Sequence, residues 1–199
     1  MRISTEPKFL KFIDVLSQNE FEVILGYLNS ESILLSLANP SILTIGTFEN
    51  KRCFDFKNYE NMDEHPTIQG PKPRVFIPEL LNWIKYPYIL RLLEKMPEFR
   101  VKVGNNECSE IMFDHYYKEG PNKKEPYLHY LVEGSRQLRE INNRDDKERY
   151  QYISNLIQTA IEGYSEIEKK GIVLEPGIDS HLRPWLTAAN LFAEEKGWT

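Results

Sequence analysis

Three of the four histidines stand beside a carboxylate: His65 follows Glu64, His115 follows Asp114, and His181 lies two positions after Asp179. The fourth, His129, stands alone. Neutral imidazoles and a carboxylate can hold a zinc-like ion while leaving one position open for water, so Asp114, His115, His129 and His181 form the candidate metal set. None of them shows HExxH, HxxxH or HxH spacing. An adjacent Asp and His on a strand would also face opposite ways, so the fold would have to gather the ligands from a distance. Four histidines are close to the ordinary number for 199 residues, and exposed or hydrogen-bonded rings account for them without a metal.

A second catalytic pattern is Asp55, Phe56 and Lys57, with Glu49 upstream. It resembles the acidic-x-Lys element of the PD-(D/E)xK nucleases, whose carboxylates hold Mg²⁺ and whose lysine positions or polarises the attacking water. No Pro-Asp pair accompanies it, and alternating charges on an edge strand explain the same residues. Cys53 and Cys108 are the only thiols and form no CxxC pair. Reduced, buried thiols are expected. A GxSxG elbow and the phosphate-binding loops GxGxxG and GxxxxGK[ST] are all missing, which removes the usual sequence signs of serine hydrolases and nucleotide-dependent enzymes.

Surface residues offer the other kind of chemistry. Tyr116, Tyr117, Tyr127 and Tyr130 surround Lys123 and Lys124, and aromatic area beside a polar loop suits a contact with another protein. The formal charge of -5, from 25 Lys and Arg against 30 Asp and Glu, argues against direct nucleic-acid binding. It suits a protein partner with a basic surface.

Those residues must be positioned by local elements. Thr5 and Pro7 open a helix whose Phe9, Leu10, Phe12, Ile13 and Leu16 face a core. Phe21, Ile24, Leu25 and Leu28 repeat at helical spacing and predict a second helix, followed by a short one over residues 31–38. The β-branched run over 42–48 and the run over 53–57 predict a hairpin, and the Pro-rich stretch 58–78 a long loop. Pro78 starts a helix that restarts at Pro87. The alternation of Phe99, Val101 and Val103, the turn Gly104–Asn106, and residues 107–113 predict a second hairpin. Helices follow from Pro126 to about Ile141, from Asp146 to Lys170, and from Asp179 onward, with a short strand at 172–174.

The expected fold is a single α+β domain over residues 1–199, predominantly helical, with six or seven helices packed with two β-hairpins. No signal-like or membrane-length apolar run is present, so a cytoplasmic location is expected. The expected function is a non-enzymatic intracellular protein-binding protein, such as an inhibitor or immunity-type partner, needing no cofactor. A metal-dependent hydrolase or nuclease and a subunit or scaffold of a larger assembly are the alternatives.

Overall fold

The computed structural model describes residues 7–46, 73–119 and 124–199, with side chains left out at 114–119. The expected second strand at 53–57, the nuclease-like Asp55 to Lys57, Cys53 and His65 lie outside these residues. Among the described residues, helices dominate and two small two-stranded sheets accompany them, so the predominantly helical α+β class holds.

Helix α1, Pro7–Gln18, turns Leu10 and Ile13 into the core, but Phe12 points out. The helix expected next is strand β1, Ile24–Leu28, which pairs in parallel with β2, Ile42–Ile45. Parallel strands need a crossover. Helix α2, Ser32–Leu35, and the 3-10 turn Ser36–Ala38 supply it, and every residue of both is buried. The crossover thus covers one face of the sheet, where a helix over residues 21–28 would have had to compete for the same volume. The strand expected to pair with β2 in a hairpin, at 53–57, lies outside the described residues. Asn39 ends the crossover in the left-handed region, which Asn tolerates better than most side chains.

The proline-rich loop ends earlier than expected. Strand β3, Arg74–Ile77, pairs antiparallel with β4, Asn82–Lys85, around the 3-10 turn Pro78–Leu80, so the helix expected from Pro78 is absent. Helix α3, Tyr86–Lys95, does restart with Pro87 in its first turn. The expected second hairpin is also helical: α4 is Phe99–Lys102 and α5 is Glu107–Glu119. Phe99 and Val103 are buried four residues apart while Val101 is exposed, a spacing that fits a helical turn as well as it fits a strand.

The remaining helices are α6, Lys124–Asn142, α7, Asp146–Lys169, and α8, Leu182–Lys196. In α7, Asp145 accepts from the Glu148 amide at 2.9 Å, the N-cap that satisfies an otherwise unpaired donor. Ile153, Ile157, Ala160, Tyr164 and Ile167 form its buried stripe. No strand forms at 172–174. In α8, Leu182, Trp185, Ala189 and Phe192 are buried, and α8 packs against both α1 and α7. One large core joins these helices to the β3–β4 unit.

Gly163 marks a close approach in that core. A Cβ there would sit 2.7 Å from Leu80 Cδ2, and Leu80 is itself buried. Gly163→Val is expected to lower stability by about 1–3 kcal/mol, because the extra carbons overpack the contact between α7 and the 3-10 turn. A denaturant midpoint that does not move would show that Leu80 can yield freely.

Candidate interaction surface

Helix α6 explains what His129 does. The ring is fully buried, its Nε2 lies 2.9 Å from the Phe76 carbonyl, and its Nδ1 lies 3.0 Å from Asn106 Nδ2. A carbonyl only accepts, so Nε2 carries the proton and Nδ1 accepts from the Asn106 amide. Asn106 Nδ2 also donates to Glu133 Oε1 at 2.8 Å, while Asn106 Oδ1 accepts from the Ser109 amide at 3.0 Å at the start of α5. Glu133, almost wholly buried, takes a further bond from Arg136 Nε at 3.0 Å. Gly104, at φ 98°, lets the chain pass this carboxylate: a Cβ there would lie 2.9 Å from Glu133 Oε1. Such a φ is one that glycine accepts without steric penalty.

Both His129 nitrogens are thus engaged, and neither offers a lone pair to a metal. Asp114 and His115 fall in helix α5 rather than on a strand. His181 stands at the N-cap of α8, with its ring 4.6 Å from that of Trp185. Among the described residues no group of three or more His, Cys, Asp or Glu is arranged to hold a metal ion. Cys108 has a free thiol whose pKa is pushed up by burial and by Glu107 and Glu125, the opposite of nucleophilic activation.

The tyrosine cluster divides. Tyr130 is 1% exposed and stacks in an aromatic group with Phe76 and Trp83, at ring distances of 5.1 and 4.7 Å. It belongs to the interior. Tyr127 is half-buried against the same group, and Lys124 is exposed. Tyr116 and Tyr117 lie on α5, and their side chains, like Lys123, are outside the described residues. The outer face of α6 presents Leu128 and Val132, one turn apart and both exposed.

A larger apolar surface lies where sequence patterning placed a core. Phe12 and Val15, three apart on α1, are exposed, as are Phe21, Ile24 and Ile42. The end of α1 sets this geometry. Glu20 adopts φ 63°, the Phe21 amide bonds back to the Leu16 carbonyl at 3.1 Å, and the Glu20 amide bonds to Ser17 at 3.2 Å. This is a Schellman-type stop, which brings the residue after the left-handed position back towards the last helical turn, near Val15 and Leu16. Ile24 and Ile42 are register partners across the parallel sheet, on the face opposite the buried crossover. Phe21 at 61% and Ile24 at 62% exposure are the most open of these five residues, which follow one another from α1 through β1 to its partner strand β2. Tyr27, at φ 59°, sits where the β1 register shifts, and such a bulge discourages another strand from joining this edge.

Sequence reasoning missed this strip because its residues satisfy a helical repeat. The available signal was charge: Glu20 and Glu22 bracket Phe21, and no Lys or Arg occurs from Phe12 to Gly46.

Comparison with protein-family models, with curated proteins and with solved structures finds no match to this chain. No helix among the described residues is long and apolar enough to cross a membrane.

The buried ring gives a pH prediction. Desolvation holds the His129 pKa below its ordinary value, against the opposing pull of the Phe76 carbonyl and Glu133. The unfolded chain therefore takes a proton below about pH 6.5 that the folded chain refuses. Stability should be full above that pH and fall as pH drops below about 6.5, by up to about 1.4 kcal/mol per pH unit from this group. His129→Gln should flatten this part of the profile in equilibrium denaturation. An unchanged slope would assign the effect to other groups.

Proposed function

We propose that this chain is a non-enzymatic intracellular protein-binding protein. The observation that carries the reading is the exposed apolar strip of Phe12, Val15, Phe21, Ile24 and Ile42. Single exposed hydrophobic residues are ordinary on a protein surface. These five are linked by helix spacing, by a helix stop and by strand register, and linked apolar area is what association buries. Large aromatic and branched side chains of this kind are also where binding energy concentrates. An inhibitor or immunity-type partner of another protein is the form of binding this reading favours.

A second reading places the contact on the α5–α6 hairpin, where Leu128 and Val132 lie near Lys124 and Tyr127. The two faces together would suit a subunit of a larger assembly.

Affinity capture by the intact protein, repeated with Phe21→Ser/Ile24→Thr and with Leu128→Ser/Val132→Ser, tests both. Melting should stay within the range of about 0.5 kcal/mol typical of surface changes. A stoichiometric partner retained by wild type and by the α6 variant, but lost from the strip variant, is the expected result. Loss from the α6 variant alone moves the site to that hairpin, and equal retention by both removes the reading.

A further inference from the structure

The same strip carries information about the chemistry of its partner. Between Phe12 and Gly46 the chain has Asp14, Glu20, Glu22 and Glu31, and no Lys or Arg. Asp14 is spoken for, since Lys196 of α8 lies 2.6 Å from its Oδ1. Glu20 and Glu22 are exposed on either side of Phe21 and make no ion pair among the described residues. On α1, Lys11 is held by Glu195 at 3.0 Å. Lys8, one turn before Phe12, is exposed and makes no ion pair among the described residues, but it lies at the far end of the ridge. The carboxylates of Glu20 and Glu22 at the centre make the field there negative.

Resting on the binding function proposed above, we infer that the strip docks a basic amphipathic segment of a partner protein. Its apolar face covers Phe12, Phe21, Ile24 and Ile42, and its Lys or Arg side chains reach Glu20 and Glu22. A second copy of this chain is the poorer occupant, because two such surfaces would bring Glu20 and Glu22 of each copy together, and like charges at an interface oppose docking. An anionic membrane meets the same repulsion. The bulge at Tyr27 makes side-chain docking on the face the suitable mode, in the manner of a helix laid on an apolar surface.

The left-handed Glu20 fits this arrangement. Glycine is the usual residue at the corresponding position of such a helix stop, because other side chains are strained in the left-handed region. A carboxylate at this point places a charge beside Phe21 that glycine could not supply.

Three synthetic 18-residue helical peptides serve as probes, built from Leu and Lys, Leu and Glu, or Leu and Gln, each fluorescently labelled and titrated against the full chain. The Leu–Lys peptide should bind saturably and weaken as salt rises, and the Leu–Glu peptide should not bind. Phe21→Ser/Ile24→Thr should weaken Leu–Lys binding by about tenfold or more, the loss expected when contributing interface residues are removed. Glu20→Gln/Glu22→Gln should weaken it several-fold and reduce its salt dependence.

Equal binding of the Leu–Lys and Leu–Gln peptides, both sensitive to the strip variant, would overturn the basic partner while leaving the apolar binding function standing. Leu–Lys binding unaffected by either variant would overturn the strip as the site. Sedimentation showing a concentration-dependent dimer that Phe21→Ser/Ile24→Thr dissolves would make the occupant a second copy. A large fall in melting temperature of that variant without any peptide binding would make the strip part of the fold.

Discussion

Among the described residues strand β3 pairs with a single neighbour, and backbone carbonyls on its other side and in the following turn find partners on α6. His129 Nε2 donates to the Phe76 carbonyl, and Gln137 Nε2 donates to the Pro78 carbonyl at 3.1 Å. With Glu133 between them, these residues form a buried polar row at i, i+4 and i+8 on one helix face. Leaving the Phe76 carbonyl buried and unpaired would cost on the order of 1–3 kcal/mol, whereas the Pro78 carbonyl also accepts from the Leu81 amide at 3.3 Å. The row therefore fixes where α6 lies, and α6 in turn fixes α5 through the shared Asn106 amide. Because Asn106 binds three groups at once, the start of α5, the imidazole and the carboxylate cannot shift independently. That coupling holds the α4–α5 corner, where Arg100 adds a bond of 3.0 Å to the Gly104 carbonyl.

Further along α6 the polar row continues into an outer layer. Arg136 joins Glu133 to Glu140 with N–O distances of 3.0 and 2.7 Å, and Glu140 also accepts from the Tyr152 hydroxyl of α7. Burial and this contact push the Tyr152 pKa up to about 12. The hydrogen bond from Tyr152, together with Arg136 and Arg144, holds the Glu140 carboxyl below its usual range. Arg144 stacks on the Tyr152 ring at 3.8 Å. Helix α6 is thus tied to the sheet by buried donors on one flank, and to α7 on the other by the Tyr152–Glu140 hydrogen bond.

How much of this was legible follows from what each element buries. Helices α7 and α8 could be read because their inward faces are apolar and their ends carry ordinary signals, Asp145 at one start and Gly171 and Gly197 in left-handed stops. The α6 row could not be found by hydrophobic pattern, since its key inward residues are His, Glu and Gln. For β1 the pattern misled: Phe21, Ile24, Leu25 and Leu28 match a helical stripe, but the crossover at 32–38 claims the interior and leaves Phe21 and Ile24 outside. Residues 99–113 failed for a similar reason, because Phe99 and Val103 satisfy both periods and only the cap formed by Asn106 and Ser109 distinguishes them. The interaction strip was recoverable in part from its missing cations, and Tyr130 could not be told from its surface neighbours without the aromatic group it joins.

The pairing of α1 with α8 reaches across nearly the whole sequence, with Lys11 and Glu195 separated by 184 positions. Such contacts delay folding, because the chain between them must be ordered before they form. During synthesis Leu10 and Ile13 would leave the ribosome long before Trp185 and Phe192 arrive to cover them. The nascent chain therefore carries an apolar helix only partly covered, by the nearby turn Ser36–Ala38, for most of its translation, a state that favours holding by chaperones and makes premature termination upstream of α8 a direct route to aggregation.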